Sequence, residues 1–352
     1  MKSVALVFTS RKKALTLLRS SVDRFEDDDG SSDLWAECDS EDTIEAVGEA
    51  LGRYYRVTRV EGDEHAYQRL RKLRPDLVFN IAEGFRGPNR ESHIPIICEM
   101  LGLAYTGSDA LTLSICLNKA RTKEILGYHQ FPTARFRVIA PGAATAALNS
   151  FALPALVKPL HEGSSIGIRN GSLVRTRPEL LARVRAVQRR YHQPALVEEF
   201  LPGREFSVGV LGNAPAYEVL PPVEINHRAL PKGANHVYGF EAKWLWDNPA
   251  KPLPILICPA RISARLAKRI RDLVCRALEI LGVRDWCRVD LRLDASGNPH
   301  LLELNPLPGI LPAPSDNSAL PAAARAAGYS YQELILEVAK HALRRKTRTQ
   351  SL

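Results

Sequence analysis

Residues 287–306, CRVDLRLDASGNPHLLELNP, constrain this chain more than any other stretch. Cys287, Val289, Leu291 and Leu293 alternate with Arg288, Asp290 and Arg292, the period-two pattern of a strand with one buried face. The turn-forming run Ala295-Ser296-Gly297-Asn298 leads into a second strand that ends Leu301-Leu302-Glu303-Leu304-Asn305. A hairpin centred between Ser296 and Gly297 sets Asp290 opposite Glu303 and Arg288 opposite Asn305. Side chains two apart share a face, so all four lie on one surface. Directly opposed carboxylates repel unless a cation lies between them. Two carboxylates and an amide oxygen are hard ligands suited to Mg²⁺ shared with a nucleotide's phosphates. Arg288 beside them can hold a phosphoryl group in transfer. The plainer alternative is a polar hairpin face with no ligand, which holds if the register slips.

Two further stretches bear on the same chemistry. In VKPLHEGSSIGI, residues 157–168, a strand ends in Lys158 and a loop of small residues follows. Backbone N–H groups of such a loop can cradle phosphate oxygens within reach of the lysine, although glycine-rich turns are common. In ALVEEFLPGREFSVGVL, residues 195–211, a Pro-Gly turn joins two strands and gathers Glu198, Glu199 and Glu205. A strand edge there can pair with adenine and a carboxylate can take a ribose diol; a solvent-facing hairpin is the alternative.

Around these motifs the chain reads as alternating strands and helices, which predicts a parallel sheet covered on both faces. Strands are predicted at Val4–Phe8, Tyr55–Val60, Asp76–Asn80 and Ala104–Thr106. Helices are predicted at Thr43–Leu51 (capped by Asp42 or Thr43), Ala66–Leu73, His93–Leu101 and 110–117. A second unit begins near Asn118, with a helix to Gly127, strands at Arg135–Ile139 and Ala155–Lys158, and a helix at Pro178–Arg190. A third, mostly sheet, carries an amphipathic helix over 261–281 and a charged tail after Lys340 that is expected to fray. The expected units are 1–117, 118–197 and 198–352.

At 45% hydrophobic and 25% charged the composition is globular, not disordered. No run approaches the ~20 apolar residues that span a bilayer, and MKSVALVFTSRKK is too short for a signal sequence, so a soluble cytoplasmic protein is expected. Six cysteines without a CxxC read as buried thiols. The net charge of +9 invites nucleic-acid binding, but residues 23–45 hold eleven acids against one arginine. The basic residues of 261–276 and 340–348 lack interleaved aromatics to stack bases. Neither nucleic acid nor membrane is expected as a partner.

The three motifs occur in order, and together they resemble a known family. Asn118-Lys119, VKPLHEGSSIG, VEEFLPGREFSV, FEAKW, CRVDLRLD and LLELNPLPG are similar to the ATP-grasp superfamily, in particular the D-alanine–D-alanine ligase family. NIAEG and LGLAYTGSDALTLSICLNKARTK match its N-terminal region, and the resemblance covers roughly residues 75–340. It implies an α/β fold, α+β in its ATP-grasp part: an N-terminal Rossmann-like parallel-sheet domain, then two ATP-grasp subdomains. It implies a cytoplasmic ATP-dependent carboxylate–amine ligase of peptidoglycan biosynthesis working through an acyl phosphate, with ATP and Mg²⁺ (Mn²⁺ as substitute) as cofactors and amino acids as substrates. A homodimer is compatible with it.

Position by position, the resemblance makes Lys119 and Lys158 ATP-phosphate ligands and residues Glu162 to Gly167 the mobile phosphate loop, with Gly163, Ser164 and Ser165 within it and Ser164 also catalytic. Glu198, Glu199 and Leu201 fall at adenine and Glu205 at ribose. Lys243 contacts phosphate, and Asp290, Glu303 and Asn305 hold the metal. Arg288 stabilises the acyl phosphate, and the Gly309 N–H faces the oxyanion. Departures concern the amino acids. FTSRKKALTLL, residues 8–18, lacks the family's glycine-rich turn and the glutamate for the first substrate's ammonium. The acidic loop 26–42 offers Glu37 and Asp39; Glu83 or Glu91, at the end of a parallel strand, is favoured, unless Arg86 and Arg90 pair with them. Trp244 stands where the family has a tyrosine that locks the loop. ILPAPSDN lacks the usual serine clamp for the second carboxylate, with Ser315 the substitute. Trp244 and Trp246 wall a substrate pocket or simply pack, and His161 lies in the loop. Two alternatives remain: a ligase joining other amino acids or peptides, and a non-catalytic nucleotide-binding protein.

Overall fold

Val4–Phe8 is an uninterrupted apolar run, which needs cover on both faces, and the strand it forms (β1, Ser3–Phe8) is the middle of a parallel three-stranded sheet. The computed structural model describes residues 1–14, 33, 35–247 and 252–349. Residues 15–32 of the acidic loop and of the FTSRKKALTLL run lie outside the described residues. Helix α1 (Glu41–Gly52) follows, then β2 (Arg56–Glu61), α2 (Ala66–Leu73) and β3 (Leu77–Asn80), in sheet order β2-β1-β3. The cap of α1 is Ser40, whose side chain accepts the Thr43 N–H, so the helix starts earlier than expected. Helix α3 (His93–Leu101) ends at left-handed Gly102, and α4 (Ala110–Leu117) is capped by Asp109. The strand expected at 104–106 is only a single parallel bridge, Val78 to Tyr105.

Asn118 caps α5 (Lys119–Tyr128). A four-stranded antiparallel sheet follows, ordered β4 (Phe136–Ile139), β7 (Ala195–Glu199), β5 (Ala155–Pro159), β6 (Leu173–Val174). It is covered by α6 (Arg177–Tyr191), which opens with a Thr176/Glu179 capping box and buries Leu180, Val184 and Val187.

The third sheet runs β11 (Leu256–Ile257), β10 (Val223–Ile225), β8 (Glu205–Asn213), β12 (Asp285–Leu293), β13 (Pro299–Asn305), with β9 (Ala216–Val219) also on β8. Helix α7 (Ala264–Leu281), capped by Ser263, packs Ile270, Val274, Ala277 and Leu278 on it. Helices α8 (Ala319–Ala326) and α9 (Tyr331–Thr349) complete the chain's described part. The expected frayed tail is helical to Thr349. Leu334, Ile335, Val338 and Ala339 of α9 share one core with Val4 and Leu6 of β1, Ile44 and Val47 of α1, and Leu211, Leu220 and Trp286 of the third sheet. The N-terminal sheet is therefore buried by residues from the far end of the chain. No helix among the described residues is long and apolar enough to cross a membrane.

Candidate active site

The hairpin sets one end of the site. Arg288 pairs with Asn305 and Asp290 with Glu303, as the alternation predicts. Beyond them the register shifts: Leu291 pairs with Leu301, so Leu302 is an extra residue in a bulge and the turn is centred nearer Ser296. Arg288 forks onto Asp290, with Nε at 3.1 Å from Oδ1 and Nη2 at 2.9 Å from Oδ2. Ser207 Oγ donates to Asp290 Oδ1 at 2.6 Å and Asn305 Nδ2 to Oδ2 at 3.1 Å. Burial raises the Asp290 carboxyl against the pull of Arg288, with Glu303 adding to the rise. Burial also opposes ionisation of Glu303, but Lys119, Lys158 and Arg288 outweigh it and hold Glu303 low.

These residues fit a hard divalent cation. All the donors are oxygens once the Asn305 amide is turned over, and the two carboxylates are direct cross-strand partners. No group of three or more acidic, histidine or cysteine side chains among the described residues offers an all-protein cage. A site of two carboxylates and one amide oxygen fits Mg²⁺, which takes waters and substrate phosphates as its further ligands.

Over the hairpin lies a cleft of about 1590 Å³, its open mouth included, lined by the loop 162–165, β7, β8 and the hairpin. Within the loop, Ser164 and Ser165 have φ of 46° and 64°, a left-handed conformation that costs energy outside glycine. Their N–H groups have no acceptor among the described residues. The loop is tied down from three sides. Glu37 Oε1 accepts the Gly163 N–H at 2.5 Å, Asp33 Oδ2 accepts the Gly167 N–H at 3.0 Å, and Trp244 Nε1 donates to the Ser164 carbonyl at 3.2 Å. Trp244 thus reaches the loop from the tyrosine's expected place, packed edge-on against Trp35. Lys119 Nζ donates to the Glu162 carbonyl at 2.5 Å and sits 3.4 Å from Glu303. His161 lines a neighbouring surface pocket, not this cleft. If this loop closes over the phosphates, as the resemblance implies, a non-hydrolysable ATP analogue should slow hydrogen exchange most at the amides of Ser164 and Ser165. Unchanged exchange across residues 163–167 would count against the loop's role.

At the far end, Leu201 is buried at the β7–β8 turn, its N–H without an acceptor among the described residues. Lys158 Nζ lies 2.6 Å from Glu198 Oε2, while Glu199 pairs with Arg135 on the surface. Glu205 accepts from Arg292 and contacts His227 Nε2 at 3.0 Å. Lys243 lines the cleft with no ion pair among the described residues, and burial, with Arg288 next, brings its pKa to about 8. Such an ammonium gains its charge fully when an anion arrives.

The remaining wall is acidic. Glu83 and Glu91 line a smaller recess that shares Glu83, Gly163, Ser164, Arg288, Glu303 and Gly309 with the cleft. Neither forms an ion pair with Arg86 or Arg90: Arg90 pairs with Glu37 at 2.6 Å and Glu162 at 3.1 Å instead. Burial pushes Glu83 well up, and Glu37 and Glu91 add to it; burial and then Glu37 bring Glu91 to about 8. Glu37 itself lines the main cleft, and so does Asp39. Gly309 lines both spaces, its N–H without an acceptor among the described residues. Ser315 does not reach the site; it is exposed on a turn. Ser318 does reach it, one residue before α8 begins, donating to the Gly309 carbonyl at 3.2 Å. Sequence reasoning missed it, though a serine directly before a helix was the available signal.

Residues 125–340 match the family described as D-ala D-ala ligase C-terminus. An uncharacterized protein, y4sG, of Sinorhizobium fredii is 37% identical over 283 residues, covering 78% of this chain and 79% of that protein. The D-alanine–D-alanine ligase of Stutzerimonas stutzeri is 36% identical over 281 residues, covering 79% and 81%. The crystal structure of D-alanine–D-alanine ligase from Bacillus anthracis complexed with ATP shares the fold at a TM-score of 0.69 and 19% identity, over 99% of this chain and 100% of that one.

Proposed function

Because this chain belongs to the D-alanine–D-alanine ligase family and is an ATP-dependent ligase that forms an amide bond, we propose that it phosphorylates one amino acid's carboxylate and joins it to a second amino acid's amine, as in peptidoglycan biosynthesis. The observation that carries this reading is the shared wall. Glu83 and Glu91, which make no ion pair among the described residues, line one recess with Arg288, Glu303 and Gly309, whose N–H has no acceptor among the described residues.

A carboxylate is a poor electrophile, and transfer of the γ-phosphoryl group makes it an acyl phosphate that an amine can attack. Leu201 and Glu198 hold adenine, with Glu199 at the edge, and Glu205 holds ribose. Lys119, Lys158, Lys243 and the Ser164 and Ser165 amides hold phosphates. Asp290, Glu303 and Asn305 would hold Mg²⁺, with Mn²⁺ as substitute, which neutralises phosphate charge when bound. Arg288 stays beside the transferring group, and the Gly309 N–H meets the tetrahedral oxyanion. The closed loop excludes water, which would otherwise hydrolyse the acyl phosphate. Chemistry of this kind draws on positioning and charge rather than a protein nucleophile. All six cysteines are free thiols, and burial raises each of them, so none is poised to attack. ATP supply places the reaction in the cytoplasm.

The first substrate's ammonium goes to the acid wall, with Glu83 its direct contact and Glu37 and Glu91 beside it, because one arginine cannot neutralise three clustered carboxyls. Ser318, at a helix N-terminus, takes the second carboxylate in place of Ser315. Phosphate release from ATP·Mg²⁺ should require amino acids, and a panel of D- and L-amino acids identifies which; release with none of them overturns the reading. In the same assay Glu83→Gln should raise the amino-acid KM roughly tenfold or more, the scale of one lost charge-assisted contact. An unchanged KM there, with a steep rise only in Glu37→Gln, moves the ammonium to the segment around Glu37.

A further inference from the structure

A deeply buried ion cluster contains a lysine to which the proposed mechanism gives no task. Lys123, one helical turn after Lys119 on α5, places Nζ 2.8 Å from Glu198 Oε1, and Lys158 places Nζ 2.6 Å from Oε2 of the same carboxylate. The three side chains are 1%, 3% and 5% exposed for Lys123, Glu198 and Lys158. Two ammonium groups therefore share one carboxylate, and they are not equivalent. Lys158 and Glu198 line the nucleotide cleft, whereas Lys123 lies behind them. Lys123 Nζ also donates to Thr133 Oγ1 at 2.7 Å, and that hydroxyl donates to the Leu301 carbonyl of β13 at 3.0 Å. It is anchored between α5 and the metal hairpin, and Lys158 is the partner that faces an incoming anion.

We propose that Lys123 is a positioning residue for nucleotide phosphates: it balances Glu198 permanently, so that Lys158 can turn from Glu198 to a phosphate without leaving a buried carboxylate uncompensated. With a single lysine, every phosphate contact by Lys158 would strand Glu198 in a site closed to water, and an uncompensated buried charge is far more costly than a broken surface pair. With two, Lys123 and Lys158 carry one positive charge more than Glu198 cancels, Glu303 being the next carboxylate in their field, and an anion in the cleft completes the balance. Burial lowers the Lys123 pKa and Glu198 opposes that fall. The inference rests on Lys158 meeting phosphate, as the proposed function has it.

Calorimetric Kd values for ADP and for adenosine, on the full chain, test both steps separately. Lys123→Met should weaken ADP roughly ten- to a hundredfold, the range of one charge-assisted contact, and leave adenosine within about twofold. KM for ATP should rise in parallel while kcat changes less. Adding Glu198→Gln to Lys123→Met removes the carboxylate that needs balancing and should restore most of the ADP-to-adenosine ratio; a merely structural lysine would not be rescued in this way. If Lys123→Met does not fold, Lys123→Gln, which can keep the bond to Thr133, is read identically. Parallel losses for ADP and adenosine, or no loss for either, overturn the inference. Lys158→Met distinguishes its foundation: if that variant keeps the wild-type ratio, the phosphate assignment of Lys158 fails and the inference with it. A lost ratio there beside an intact one in Lys123→Met refutes the inference alone.

Discussion

Arg288→Met is expected to lower kcat by roughly a thousandfold while moving the ATP KM by less than about tenfold. The reason lies in the way the guanidinium is held. Two of its nitrogens fork onto Asp290, and Asp290 is fixed in turn by Ser207 and Asn305. The arginine is thus aimed before substrate arrives, and in the proposed transfer charge developing on the phosphoryl group would meet a donor that needs no reorganisation. Burial opposes the charged form of Arg288, but Asp290 beside it raises its pKa above the ordinary value, so it stays charged throughout the accessible pH range. Deleting it leaves Asp290 with two other partners, which keeps the fold out of the measurement. A kcat within tenfold of the parent, at saturating ATP and amino acid, would remove Arg288 from the reaction.

Glu303→Gln is the second large effect, a loss of roughly 10²–10³ in kcat at fixed Mg²⁺. The substitution keeps the shape and removes one charge from the cross-strand carboxylate pair. It also frees Lys119, whose Nζ stands 3.4 Å from Glu303 in the structure. Raising Mg²⁺ should recover part of the activity, because the remaining carboxylate and amide still offer oxygens. Near-normal turnover in this variant at ordinary Mg²⁺ would sink the metal assignment, whatever its melting temperature.

What could be read in advance was local. The bounds of α2 and α3 were legible from short apolar runs, with Gly102 marking the end of α3, although neither His65 nor Ser92 caps its helix with a side chain. The pairing of Asp290 with Glu303 follows from alternation together with the placed turn, and it holds because the bulge at Leu302 offsets a turn centred nearer Ser296. The doubled Leu301-Leu302, which breaks the alternation, was the available signal for that bulge. The loop's ties were illegible for a different reason. Glu37 and Gly163 are 126 residues apart, and Asp33 and Gly167 are 134 apart. Nothing near either partner records the meeting. Ser315 was the nearest serine to the expected register, and Ser318 is the one that the start of α8 carries to Gly309. The same distance hid Lys123: its sequence neighbours describe a polar helix, and only the approach of β7 shows that it faces Glu198.

The helix Tyr331–Thr349 carries a consequence for how this protein is made. Leu334, Ile335, Val338 and Ala339 lie in one core with Val4, Leu6, Ile44 and Val47, so the earliest strand finds its lid among the latest residues. At a synthesis rate of about 5–20 residues per second, β1 would wait on the order of 20–60 s for that lid. Throughout that interval the apolar face of β1 and α1 stays open to the crowded surroundings of a ribosome. A nascent chain halted before residue 331 should therefore be a ready client for chaperones, and a stop codon placed there would yield aggregates rather than a smaller enzyme.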